Sequence, residues 1–328
     1  MLDHFSSQLI LFLWFTVMKW NNELVYDLFH LSFIELVVKA HKVHKKHFPS
    51  RDMQISTLLS IKTGACSEDC KYCPQSIYYN TGLEKQRLMQ TEDIIKKAVI
   101  AKKNGAQRFC MGAAWRSLHN KEVPKIAEII QQVKSLGLET CMTLGMLTED
   151  QALALKQAGL DYYNHNLDTS ENYYKKIITT RTYDNRLQTL RYVQKSGIKV
   201  CCGGIIGMGE KSADRIDFLV TLANLNPYPE SVPINLLVKV SGTPLYDAPS
   251  VDIFDFIKIV AIARIIMPKA RVRLSAGRDN MSEEAQALCF MAGANSIFYG
   301  EKLLTTKNSE MEKDINLLKK LGFICNVV

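Results

Sequence analysis

The stretch Gln54–Gln75, QISTLLSIKTGACSEDCKYCPQ, opens the part of the chain where short apolar runs and helical patterns alternate, and it gives that pattern. Ile55–Ile61 is a short apolar run and predicts a strand. The loop after it, Gly64–Gln75, carries Cys66, Cys70 and Cys73 in the spacing C-x3-C-x2-C. Outward from there, short apolar runs alternate with helical patterns. Strands are predicted at Arg108–Met111, Glu139–Leu144, Asp161–Asn166, Lys199–Ile206, Val232–Val238, Val272–Ser275 and Ser296–Phe298. Between them, Thr91 is read as capping a helix that ends near Asn104-Gly105, and Pro124 opens one that stops at Gly137. Thr148 with Gln151 reads as a capping box. Further helices are expected at Tyr183–Ser196, Ser212–Leu225, Asp252–Met267 and Ser282–Ala292. Eight strands separated by helices, with no Pro/Gly/Ser linker, predict an α/β fold: a single (β/α)8 TIM-type barrel with an N-terminal helical extension. A doubly wound open sheet is the runner-up. Residues 1–50 form the extension and helices, and 51–328 the barrel domain.

Polar residues on these strands carry the functional reading. Side chains alternate along a strand, so residues two apart share a face. Asn164, Asn166 and Asp168 have that spacing, as do Arg108 and Cys110, Cys141 and Thr143, and Arg271, Arg273 and Ser275. Barrel lumens are ordinarily filled by Val, Ile and Leu. Buried polar and charged groups are costly unless paired or bound to something, so this lumen is expected to hold a polar ligand.

Composition narrows the class. At 47% apolar and 23% charged, the chain is a globular rather than a disordered one. Forty-one basic against 33 acidic residues give a net charge of +8, which suits an acidic partner or an anionic substrate. No Lys/Arg stripe interleaved with aromatics appears, so no nucleic-acid role is expected. The densest basic run, Lys39 to Lys46 with His41, His44 and His47, is read as a solvated helix face. Leu9–Val17 is apolar but too short to span a bilayer, with no Lys or Arg ahead of it and no small-residue cleavage site behind. It is read as an extension ahead of a second start at Met18, in a cytoplasmic protein with no membrane role. Nine cysteines, partly clustered, suggest metal or redox chemistry rather than disulfides.

Three thiolates on one loop can ligate three irons of a [4Fe–4S] cluster, leaving the fourth open to a substrate. A zinc site would call for a second paired C-x2-C motif, which is absent. With Tyr72 at the aromatic position, the loop resembles the radical S-adenosylmethionine superfamily signature. Gly203, Ile205, Gly207 and Glu210 meet its G-x-I-x-G-x-x-E pattern. Within the superfamily the chain resembles the biotin synthase family from about Trp20 to about Gly322. The blocks that carry the resemblance are STLLSIKTGAC (Ser56–Cys66), RFCMGAAW (Arg108–Trp115), CMTLG (Cys141–Gly145), DYYNHNLDTS (Asp161–Ser170), ITTRTY (Ile178–Tyr183), VPINLLVKV (Val232–Val240), VRLSAGR (Val272–Arg278) and GANSIFYG (Gly293–Gly300). Residues 1–17 have no family counterpart, and the C-terminal tail is shorter than usual.

The resemblance implies an enzyme that converts dethiobiotin to biotin by radical sulfur insertion. Cys66, Cys70 and Cys73 would hold a [4Fe–4S] cluster that cleaves S-adenosylmethionine. Cys110, Cys141, Cys201 and Arg273 would hold a [2Fe–2S] cluster as sulfur donor. The ligand role of Arg273 rests on the resemblance alone, because a guanidinium stays protonated. Asn166 and Asp168 are the expected catalytic residues and hydrogen-bond the cofactor ribose. Tyr72, Ile205 and Arg186 complete its site, although Arg186 also reads as a helix-surface arginine. Asn164 and Asn235 would meet the ureido ring of the substrate, since an amide matches a urea donor for acceptor; both also suit a purely backbone-satisfying role. Thr305 and Thr306 would meet its carboxylate. Cys202 is expected to be a bystander, Cys289 and Cys325 small buried apolar groups, and His165 an outward-facing, satisfied core histidine. A flavodoxin-type electron donor and a homodimer are the implied partners. Two other readings stay open: a radical enzyme that only rearranges or cleaves its substrate, and a non-enzymatic metal-binding protein. Lipoyl synthase should carry a second clustered cysteine motif, which is absent.

Overall fold

The computed structural model describes residues 19–49, 51–300 and 302–324; Leu9–Val17 and Cys325 lie outside them. The strands are β1 (Gln54–Lys62), β2 (Arg108–Ala113), β3 (Glu139–Thr143), β4 (Tyr162–Asn164), β5 (Lys199–Cys201), β6 (Gly204–Ile206), β7 (Ser231–Leu236), β8 (Arg271–Leu274) and β9 (Ser296–Phe298). All pair in parallel, β1 pairs with both β2 and β9, and β5 and β6 both pair with β7, so the sheet closes into a barrel. Its eight staves match the expectation, and the doubly wound alternative falls.

The fifth stave is split, where one continuous strand was expected over Lys199–Ile206. The break at Cys202-Gly203 faces Pro233 of β7, which has no N–H to donate to a ladder. A Cβ on Gly203 would stand 1.9 Å from the Pro233 carbonyl oxygen, so only glycine fits there. The freed backbone turns to the fourth stave instead. Gly203 O accepts from Asp168 N at 3.2 Å, and Asp168 O accepts from Ile205 N at 2.9 Å. The split therefore docks the Asn166–Asp168 segment against the fifth stave.

Helices α3 (Thr91–Lys103), α4 (Val123–Ser135), α5 (Glu149–Gln157), α6 (Glu171–Ile177), α7 (Tyr183–Lys195), α8 (Ser212–Ala223), α9 (Ile253–Ile266), α10 (Glu283–Met291) and α11 (Met311–Lys320) surround the barrel. The Thr148–Gln151 capping box forms on α5, and Asp252 and Ser282 cap α9 and α10. Thr91 does not cap α3. It is the first helical residue, Gln90 takes the cap position, and no side chain bonds there.

Ahead of β1, α1 (Asn22–His30) packs on α8 and α9, and α2 (Phe33–His47) packs along α9. On α2 the lysines Lys39, Lys42, Lys45 and Lys46 are exposed and His41 and His47 half-buried, while His44 is buried with its ring stacked on Phe48, 5.4 Å between centroids. One turn of helix carries His44 from the lysine face to the core side beside Ala40, so the expectation of a wholly solvated run fails at this residue. No described helix is long and apolar enough to cross a membrane.

Candidate active site

One cavity of about 320 Å³ runs from the loops at the C-terminal ends of the strands into the lumen. Its lining includes Cys66, Cys70, Cys73, Cys110, Cys141 and Cys201, with Asn164, Asn166, Asp168, Arg186, Ile205, Asn235, Arg273, Thr305 and Thr306. Two arginines grouped with the lumen residues lie outside it. Arg108 is fully buried, pairs with Glu139 at 3.0 Å and covers the Tyr162 ring at 3.4 Å. Arg271 pairs with Asp52 at 2.6 Å. Each begins its strand, at the end away from the loops.

The cysteine loop folds back on itself. Cys66 N–H donates to Gln75 O and Ile77 N–H to Cys66 O, each at 2.9 Å, while Cys73 N–H donates to Cys70 O. Burial raises the Cys66 and Cys70 thiols and pushes Cys73 up to about 12. Among the described residues, no three thiol, imidazole or carboxylate groups stand at the spacing of a single metal ion. A four-iron cluster is larger than an ion, and its ligands stand correspondingly further apart. The donor set, three thiols on one loop facing a cavity, fits such a cluster.

Tyr72 turns its hydroxyl to Asp168, donating to Oδ2 at 2.7 Å. The same oxygen accepts from Arg186 Nη2 at 2.6 Å, and Arg186 also donates Nε to the Tyr174 hydroxyl and Nη1 to Asn166 O. Arg186 is thus buried in the site, and its helix-surface reading is overturned. Asp168 adopts φ +69, a left-handed conformation that non-glycine residues hold only where surrounding contacts impose it. Asn166 Oδ1 accepts from Gly203 N–H and from Asn164 Nδ2.

Deeper in the lumen, register brings Cys110 beside Cys141 on β2 and β3, and Asn164 beside Cys201 on β4 and β5. Cys141 lies within hydrogen-bonding reach of both other sulfurs and can give its one proton to either, which raises its own pKa and lowers those of Cys110 and Cys201. Arg273 and Arg108 add positive charge that lowers the latter two further. Arg273 is 1% exposed. Its Nε donates to Ser296 Oγ, and its Nη2 to Ser56 Oγ and Gln54 Oε1. Three soft sulfur donors converging at one buried point suit an iron–sulfur cluster.

Asn164 donates to Cys201 Sγ at 3.3 Å and accepts from Thr143 Oγ1. Asn235 bridges Gly204 O and Ala276 N–H. Each amide therefore does backbone or side-chain work while facing the cavity. Cys202 packs in the hydrophobic core behind the barrel wall, and Cys289 is fully buried on α10. His165 is buried, but Nε2 has no hydrogen-bond partner among the described residues, so it is not the satisfied histidine expected. Burial, then the charges of Arg186 and Arg181, hold it neutral. Sequence reading passed over Arg181 and Glu68. Arg181 is part of the cavity wall with Nη2 at 3.9 Å from Cys70 Sγ, and Glu68 lies buried beneath it. The only available signal was their place in the quoted motifs, Glu68 inside the cysteine loop and Arg181 inside the block ITTRTY.

A closed parallel barrel with a three-cysteine loop at its mouth defines a radical S-adenosylmethionine enzyme fold. Residues 60–223 match the Radical SAM superfamily, and residues 233–324 the Biotin and Thiamin Synthesis associated domain. A biotin synthase of Marinobacter nauticus is 62% identical over 92% of this chain and 86% of its own length, and one of Hahella chejuensis matches to the same extent. The solved structure of methylornithine synthase (PylB) shares the fold, with a TM-score of 0.79 at 19% identity over 92% of this chain and 93% of its own. The chain belongs to the biotin synthase family.

Proposed function

We propose that the chain inserts sulfur into dethiobiotin to form biotin, with the lumen cysteines holding the sulfur source. The observation that carries this is the convergence of Cys110, Cys141 and Cys201, from three different strands, in the cavity that the cysteine loop closes. When bound, a [4Fe–4S] cluster on Cys66, Cys70 and Cys73 supplies reductive cleavage of S-adenosylmethionine to a carbon radical, and a [2Fe–2S] cluster on Cys110, Cys141, Cys201 and Arg273 supplies sulfide.

The chain's own groups bind and orient. Asp168, with two acceptor oxygens, suits vicinal ribose hydroxyls, and Asn166 stands beside it. The Arg186 guanidinium offers a carboxylate its countercharge, while Tyr72 and Ile205 bound the same pocket. Asn164 and Asn235 retain amide capacity for a ureido ring, and Thr305 and Thr306 lie where barrels of this kind commonly bind anions. We extend the proposal to a flavodoxin-type electron donor, a homodimer and a cytoplasmic location, as the family resemblance implies.

The test rebuilds the clusters with isotopically labelled sulfide and weighs the biotin of the first turnover. Labelled product is expected. Unlabelled product from a fully labelled lumen cluster would overturn the donor role.

A further inference from the structure

Two acids lie between the first two cysteines of the loop, and they do different things. The Asp69 carboxylate bolts the loop to the segment between α6 and α7, accepting from Thr179 N–H at 2.9 Å and from Thr180 N–H at 3.2 Å. Glu68 points inward and is 3% exposed. The Thr180 hydroxyl donates to it, Arg116 Nε stands 3.3 Å away and Arg181 Nε 3.7 Å away. That carboxylate faces the Arg181 side chain, which is 8% exposed with Nη2 3.9 Å from the Cys70 sulfur. Arg181 Nε has no hydrogen-bond partner among the described residues, and its contact with the Cys70 sulfur does not depend on Glu68. The neighbouring Arg186 differs: Asp168, Tyr174 and Asn166 occupy its nitrogens.

We infer that Arg181 sets how readily the loop cluster accepts its electron, and that Glu68 tempers it by its own charge. This rests on the cluster assignment made above. In the step concerned, one electron arrives from an external low-potential donor and the cluster gains one negative charge; no bond breaks and no proton moves. A guanidinium beside a ligand sulfur, at a site from which most water is excluded, favours the more negative form. It does so by its charge and by drawing electron density from the thiolate. The Glu68 carboxylate close by opposes that effect in part.

The experiment is an anaerobic potentiometric titration of the cluster-loaded enzyme with dithionite and mediators, read by electron paramagnetic resonance of the reduced loop cluster. Arg181→Gln is expected to make reduction about tenfold less favourable, which for one electron is about 59 mV more negative. Arg181→Lys, which keeps the charge, should recover more than half of that shift. Glu68→Gln should move the potential the other way, because a negative charge leaves and the arginine stays. An unchanged potential in Arg181→Gln, a lysine variant as low as the glutamine one, or shifts of the same sign for Arg181→Gln and Glu68→Gln would each overturn the inference. Should Arg181→Gln fail to assemble a cluster, the sign of the Glu68→Gln shift decides alone. Absence of a loop-cluster signal in the parent enzyme would instead overturn the cluster assignment.

Discussion

The two cysteine sets of this barrel are built on opposite plans. Cys66, Cys70 and Cys73 come from one short loop, their spacing is local, and burial raises all three thiols. Cys110, Cys141 and Cys201 come from β2, β3 and β5, and only barrel closure brings them together. There, hydrogen bonds among the sulfurs and the charges of Arg273 and Arg108 pull two of the three thiols down. A loop at the mouth can open one side of its cluster to a ligand and to an electron. A site walled by strands cannot easily move, and it suits a group that is held in place and consumed there. On the function proposed above, the difference amounts to a division of labour: radical generation at the rim, sulfur storage in the lumen.

That division breaks if the two sets do not separate by function, and the largest effects test it first. Replacing Cys66, Cys70 or Cys73 with Ala should abolish 5′-deoxyadenosine formation from S-adenosylmethionine, measured by chromatography of anaerobic assays. Undiminished cleavage in any of the three would remove the loop from its role. Cys141→Ala should abolish biotin while leaving the loop set able to assemble its cluster, checked by visible and paramagnetic resonance spectra. Arg273→Ala should lose less biotin formation than Cys141→Ala, because a guanidinium is a poor donor whose place another ligand can take. Equal loss in the two would show that Arg273 matters as much as a sulfur ligand. Gly203→Ala sharpens the architectural half of the comparison. Its methyl would collide with the Pro233 carbonyl at the split in the fifth stave, so a loss of about 3 kcal/mol or more in urea unfolding is expected.

Local features were legible in the sequence and long-range ones were not. The C-x3-C-x2-C loop, the Thr148 capping box and the glycines after α3 and α4 each depend on residues within one turn or loop, and each stands where its pattern indicated. The split at Cys202-Gly203 did not show, because it is imposed by a proline on another strand. The lumen cysteines looked scattered for the same reason: their common point exists only once eight staves close. Arg186 had two readings on α7, and only the approach of Asp168 from the fourth stave chose between them. His44 sat in a run of lysines that concealed which side of α2 faces α9.

His44 also supplies the smallest expected effect, at the end of the barrel opposite both cysteine sets. Conservation of function at one end and stability at the other is the usual arrangement of such barrels. A variant here should change folding and leave the cysteine chemistry alone. Burial lowers the His44 pKa to about 4, helped by the positive charges of Arg264, His41 and Arg271 against the opposing pull of Asp52. In the unfolded chain an imidazole takes up its proton near pH 6.5. Below that pH the unfolded state binds a proton that the folded state refuses until about pH 4. Stability is therefore level above roughly pH 7 and falls as pH drops through this window. Between pH 7 and pH 5 the loss due to this one residue should be about 2 kcal/mol. Carboxylates contribute to acid unfolding too, so the useful quantity is a difference. Urea unfolding of the parent chain and of His44→Leu, each at pH 7 and pH 5, should give a smaller drop in the variant by about that amount. Parallel slopes would mean that the folded protein admits the proton after all. A pH-dependent change in the lumen cluster's spectrum on substituting His44 would break the separation between the two ends.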